Sequence, residues 1–172
     1  MNLNVQVTSG DIASVKADAL ITAINSGGFW FGGIDGVIMN TAGNMFHNQA
    51  ALALKEGLED GQAIAVHAEL QHDGEFGDVI FVIDDLQQPL RNIVKAGLEA
   101  ADHAGYETVT IPTIRMGVMK NQVESPDKAI KEMVIGILTF EANGWYNHLK
   151  EITIVVYNDP STEALLREEL GI

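Results

Sequence analysis

The chain has 172 residues, with 24 acidic against 10 basic side chains and a formal charge of −14. That balance leaves no basic footprint for a nucleic acid, no apolar run approaches the ~20 residues of a membrane span, and the absence of cysteine excludes disulfide and thiol chemistry. The opening stretch MNLNVQVTSGD lacks a charged region followed by an apolar one, so no signal peptide is expected and a cytoplasmic setting is.

The predicted elements alternate between strand and helix. Residues 3–8 alternate apolar and polar side chains and predict an edge strand. Gly10-Asp11-Ile12 ends it, and Asp11 suits the cap of a short turn over 12–15. Residues 19–24 are apolar except for Thr22, which predicts a central strand buried on both faces. Asn25 stands at its carboxyl end, where open α/β sheets bind ligands, although asparagine is also an ordinary turn residue that tolerates left-handed backbone. The loop that follows holds Gly27, Gly28, Gly32 and Gly33 and runs into a helix predicted over 34–42. A strand, a glycine-rich loop and a helix N-terminus make a backbone site for an anion. The spacing matches neither the dinucleotide-binding fingerprint nor the P-loop. Phe29-Trp30-Phe31 in this loop either covers an apolar edge or walls a site. Asp35 opens the helix, where negative charge is favoured.

Residues 48–56 predict a helix that buries Ala51, Leu52 and Leu54 and stops at Gly57. Residues 63–67 and 79–83 predict strands. His47, His67, His72, His103 and His148 have no metal-ligand spacing, so no metal site is expected. Asp84-Asp85 after a strand looks metal-like, but two adjacent acids in a loop are more often solvated, and solvation is the expectation. Residues 89–104 predict an amphipathic helix with proline near its first turn, a buried stripe of Leu90, Ile93, Val94, Gly97, Leu98 and Ala101, and a stop at Gly105. A strand follows over 108–112. Arg115 beyond it points either to a phosphate or, by expectation, to solvent. Ser125-Pro126-Asp127 opens a helix to 143. The last strand spans 152–157, with Tyr157 at its carboxyl end as either a core or a stacking residue, and 158–161 cap a helix to 170. With no repeat and no linker, the pattern predicts a single domain over 1–172, with helices on both faces of a mixed sheet.

The order and spacing of these motifs resemble the macrodomain, the ADP-ribose-binding module. Gly10-Asp11-Ile12, Thr22-Ala23-Ile24-Asn25 and Gly32-Gly33-Ile34-Asp35-Gly36-Val37-Ile38 resemble that family's Gly-Asp-Ile, Asn-Ala-Ala-Asn and Gly-rich Val-Asp-Gly-Ala-Ile motifs, and the ten-residue step from Asn25 to Asp35 is the usual one. Gly61-Gln62-Ala63, Ile111-Pro112-Thr113-Ile114, Met116-Gly117-Val118 and Val156-Tyr157 follow in the family's order. The resemblance implies a three-layer α/β/α sandwich that binds ADP-ribose, a derivative of it or an ADP-ribosylated protein, and needs no cofactor. It implies that the Asp11 carboxylate and Ile12 N–H meet adenine, with Tyr157 on its face. It gives the backbones of Gly32, Gly33, Ile34, Gly117 and Val118 to the diphosphate. Asn25 and Asp35 fall at the distal ribose, as candidate catalytic residues. Thr22, the aromatic loop, Arg115 and Met116 depart from the pattern, as do Met39, where a histidine is frequent, and Met119, where an aromatic is. Three functions stay open: a hydrolase of ADP-ribosyl or ADP-ribose ester or phosphate bonds, a non-catalytic binding module, and a degenerate domain with a structural or interaction role.

Overall fold

The computed structural model describes residues 3–27, 33–116, 120 and 122–172. Among them, six strands form one sheet: β1 (Asn4–Ser9), β2 (Ala17–Ile24), β3 (Ala63–Val66), β4 (Phe76–Ile83), β5 (Thr108–Pro112) and β6 (Glu151–Val156). Their spatial order is β1-β6-β5-β2-β4-β3. Neighbours run parallel except β3, which lies antiparallel on β4 and closes one edge. β1 forms the other edge, as its alternation predicts.

β2 lies between β5 and β4, and its two side-chain sets feed two cores. Ala19, Ile21 and Ala23 face a core shared with α3 (Leu90–His103), α4 (Pro126–Asn143) and α5 (Pro160–Leu170). Leu20 and Ile24 face the second, shared with a 3-10 turn (Ile12–Ser14), α1 (Ile34–Ala42) and α2 (Met45–Lys55). The result is a three-layer α/β/α sandwich. Each fully buried Leu or Ile contributes about 1.5–3 kcal/mol of burial, so an uninterrupted apolar run is what a two-faced strand requires.

Local signals set most boundaries. Ser125 caps α4 by accepting the Lys128 N–H at 3.3 Å, and Asp159 caps α5 by accepting the Thr162 N–H at 3.2 Å; a proline follows each cap. The expected stripe of α3 is buried throughout. α2 differs from expectation. It begins at Met45 and buries Phe46, His47 and Ala50, whereas Leu52 is exposed and Ala51 and Leu54 are half-buried. Phe46, fully buried against Phe76, sets the helix's rotation, and a turn added at the front carries the buried stripe away from Leu52. No helix among the described residues is long and apolar enough to cross a membrane.

Because β1, β6, β5, β2 and β4 are parallel, the segments leaving their carboxyl ends share one rim of the sheet. Those sequence-predicted site residues that the structure describes lie along or just beyond it.

Candidate functional site

One end of the rim is formed by β1 and its neighbour β6. Ser9 pairs in register with Val156, and the Gly10 N–H donates to the Val156 carbonyl at 3.0 Å. The turn carrying Asp11 and Ile12 and the residue Tyr157 therefore leave adjacent strands together. Asp11 is exposed, and its Oδ1 accepts the Ala13 N–H at 3.0 Å, so it does cap the turn. The Ile12 side chain is buried, while its N–H, the first of the turn, has no acceptor within that turn. Tyr157 is 77% exposed, which excludes the core-tyrosine alternative and leaves its ring face open.

The centre of the rim is the end of β2. Asn25 follows directly and is half-buried. It is not among the non-glycine residues with positive φ, so it does not fill the left-handed turn role open to an asparagine. Gly33 precedes α1 with φ 41°, a backbone state that only glycine adopts without strain, and the exposed Gly33 and half-buried Ile34 begin the helix's free N–H turn. Gly32, Gly117, Val118 and the Phe29-Trp30-Phe31 run lie outside the described residues.

Asp35, in the first turn of α1, is not a solvated helix-end charge. It is buried, and its Oδ1 lies 3.2 Å from Nε2 of His47, which is buried in the first turn of α2. The side chains are 6% and 4% exposed respectively. A carboxylate only accepts, so with Asp35 ionised the ring donates from Nε2. The His47 ring also lies against Phe81, with centroids 5.1 Å apart. Sequence reasoning missed this pair. His47 has no motif of its own, and only the packing of α1 beside α2 brings it to Asp35. Met39, on the same helix as Asp35, is partly exposed at 39%.

Two expectations are overturned at the end of β4. Asp84 is fully buried instead of solvated, and Arg115 is buried in an ion pair instead of pointing to solvent. Arg115 Nη2 donates to Asp84 Oδ1 at 2.7 Å and Nε to Oδ2 at 3.0 Å, a two-pronged pair. Nη2 also meets the Gln88 carbonyl at 2.8 Å, and Nη1 meets Glu124 at 3.2 Å. Burial alone would make the guanidinium easier to deprotonate, but Asp84 and Glu124 outweigh it and hold its proton more tightly. Arg115 has φ 64°, a left-handed backbone just past β5. Asp85, the next residue after Asp84, accepts from the Ser26 N–H and hydroxyl, each at 2.7 Å. Two consecutive acids thus tie down the segments leaving β2 and β5, which flank the middle of the rim.

Two concavities lie elsewhere. One of about 1220 Å³ is lined by Lys95, His103, Trp145 and His148, and one of about 790 Å³ is lined by Asp18, Glu75 and Tyr106. None of the described residues expected at the site lines either.

No family model matches the chain. Curated relatives do. A macro domain-containing protein of Streptomyces nogalater is 30% identical over 125 residues, covering 67% of this chain and 68% of that protein. An O-acetyl-ADP-ribose deacetylase of Klebsiella pneumoniae is 26% identical and covers 99% of this chain and 98% of that one. Among solved structures, an aspartate-to-alanine mutant of the Oceanobacillus iheyensis macrodomain superposes with a TM-score of 0.78 at 18% identity, over 96% of this chain and 89% of that one. The Trypanosoma brucei macrodomain in complex with ADP-ribose gives 0.71 at 18%, over 96% and 68%. The three-layer α/β/α sandwich, the motifs in their order along the sequence and the similarity to the Streptomyces protein lead to one conclusion: the chain belongs to the macrodomain family.

Proposed function

We propose that residues 1–172 act as one domain that binds ADP-ribose, or a derivative of it, along this rim. The observation that carries the reading is Tyr157, 77% exposed, leaving β6 beside the Asp11–Ile12 turn that leaves β1. An open aromatic face next to a carboxylate and a turn-opening N–H that its own turn leaves without an acceptor suits adenine, which stacks through its π-face, donates from its amine and accepts at a ring nitrogen. Gly33 and Ile34, with Gly32, Gly117 and Val118, supply backbone N–H groups for the diphosphate. Asn25 and Asp35 meet the distal ribose. The Klebsiella deacetylase and the Trypanosoma complex support the same ligand for this chain. An ADP-ribosylated protein is the macromolecular form of that ligand.

The buried Asp35–His47 contact favours hydrolysis over binding alone. For a ribose ester, water adds to the acyl carbon while its proton passes to Asp35. The acyl–oxygen bond then breaks, and the ribose oxygen takes a proton back to leave as a hydroxyl. Asn25 holds the ribose hydroxyls so that the ester faces the water. The Oceanobacillus macrodomain has been solved with an asparagine and, ten positions on, an aspartate replaced by alanine; Asn25 and Asp35 are likewise ten residues apart here.

Calorimetry with ADP-ribose, AMP, ATP and NAD tests binding, with ADP-ribose expected to bind most tightly. Absence of binding by all four at millimolar concentration overturns the reading in favour of a structural role. Single-turnover assays on O-acetyl-ADP-ribose and on aspartyl- or glutamyl-ADP-ribosylated protein test catalysis. Asn25→Ala and Asp35→Ala are each expected to slow turnover by about 10²-fold. Wild-type protein that binds ADP-ribose yet turns over neither substrate is a binding module.

A further inference from the structure

We propose that His47 is a positioning residue for Asp35, fixing the carboxylate through one oxygen so that the other faces the distal ribose hydroxyl or the attacking water. The role rests on the ADP-ribose reading above. Its physical ground is independent of that reading. Asp35 lies in the first turn of α1 and His47 in the first turn of α2, so the two are carried on separate helices and packed into one buried contact of 3.2 Å.

A carboxylate has two oxygens and a freely chosen second torsion. In water that freedom spreads its lone pairs over many directions. Here the imidazole engages Oδ1, and the pair is almost wholly shielded from solvent. The imidazole ring is itself held against Phe81. A ring that cannot swing gives Asp35 a fixed donor, and a fixed donor restricts the carboxylate to one orientation. The preference for Oδ2 as the working atom follows, since Oδ1 is already engaged. α1 offers no imidazole of its own, and α2 supplies it. The burial of His47 also has no packing rationale that an apolar residue would not serve better: a polar ring buried against Phe81 costs desolvation, and the bond from Nε2 to Asp35 offsets that cost.

The test uses the full chain with His47→Gln, which keeps an N–H donor at similar reach, and His47→Leu, which keeps bulk without a donor. In single-turnover hydrolysis of O-acetyl-ADP-ribose, His47→Leu is expected to lose about 10²-fold in rate and His47→Gln to stay within about tenfold of wild type. Both should bind ADP-ribose within about threefold of wild type, because the lost contact orients a group and does not create the pocket. A purely structural role would weaken binding and rate together. Equal losses in the two variants, or a His47→Leu rate near that of wild type, overturn the proposal. Nitrogen-15 spectra of the histidine rings provide a readout that does not need turnover. The His47 signals should shift on Asp35→Asn, and should respond to ADP-ribose in wild type but not in Asp35→Asn. If wild type binds ADP-ribose without turnover, hydrolysis fails while these spectra still decide whether His47 positions Asp35. A His47 ring indifferent to Asp35→Asn removes the proposal whatever the activity.

Discussion

On the reading proposed above, Asp11 serves both fold and ligand, whereas Tyr157 serves the ligand alone. Asp11 uses Oδ1 to cap its turn, and the proposed adenine contact falls to Oδ2. The two roles separate in Asp11→Asn, which keeps an oxygen for the Ala13 N–H but offers an amide where the charged acceptor was. Asp11→Asn should therefore leave the unfolding temperature nearly unchanged and weaken ADP-ribose binding by at least about tenfold, the loss of a hydrogen bond to a charged group worth about 1.5–3 kcal/mol. Unchanged affinity by calorimetry would reduce Asp11 to its cap. Tyr157 is simpler, because a ring 77% exposed contributes little to the core. Tyr157→Ala should cost about 1–3 kcal/mol of ADP-ribose affinity, the usual worth of stacking one base, with thermal unfolding unmoved. A drop in unfolding temperature without a drop in affinity would show that the ring supports β6 and not a ligand.

At the scale of elements, the end of β4 braces the middle of the rim. Arg115 on the segment after β5 is held by Asp84, and Ser26 on the segment after β2 is held by Asp85. Truncating the arginine exposes the cost of a buried charge left without its partner. Arg115→Met should destabilise the chain by about 3–5 kcal/mol, or about 6–20 °C at the ~2–4 °C per kcal/mol typical of a domain this size. Denaturant unfolding at neutral pH measures it, and a loss below about 1 kcal/mol would mean that Asp84 finds another partner or a proton. None of this bracing was legible in the sequence. The strands, the stripe of α3 and the caps of α4 and α5 were legible because they obey local rules, a period of two or of 3.6 and a side chain reaching a near neighbour. The Arg115–Asp84 pair spans 31 positions and the His47–Asp35 contact 12, and both depend on which strands and helices lie side by side. A polar residue destined for burial carries no periodic signature, so Asp84 read as solvated and His47 drew no role beyond its lack of metal-ligand spacing. The rotation of α2 was misjudged for a related reason, since Phe46 lies in the turn left out of the predicted helix.

The molecule as a whole carries −14, and this affects both its stability and its ligand encounter. Asp102 illustrates the first. Burial pushes its carboxyl upward, but the N–H groups of Leu149, His148 and Asn147 donate to it and bring it below the usual carboxylate range. A depressed folded value means that the stabilisation is complete above the unfolded value near ~3.9 and is lost as pH falls through the lower folded value. Asp102→Asn should thus be less stable than wild type by about 1.5–3 kcal/mol at neutral pH, and the gap should close in the acid range below about pH 4. A gap that persists at low pH would show that shape, not charge, holds the segment before β6. The second effect concerns ADP-ribose, whose diphosphate is an anion approaching an anionic protein. Backbone N–H groups at the rim act within a few ångströms, while the net charge repels over the Debye length of about 30 Å at 0.01 M salt and about 8 Å at 0.15 M. Salt should therefore raise the association rate, because it screens the long-range repulsion, and alter the dissociation rate much less, because the bound contacts are short-ranged. Stopped-flow binding across about 0.01 to 0.15 M salt measures both rates. An association rate that falls with salt would mean that the rim's own potential is positive enough to reverse the field of the whole molecule, and would shift the account of capture from local dipoles to a steering patch.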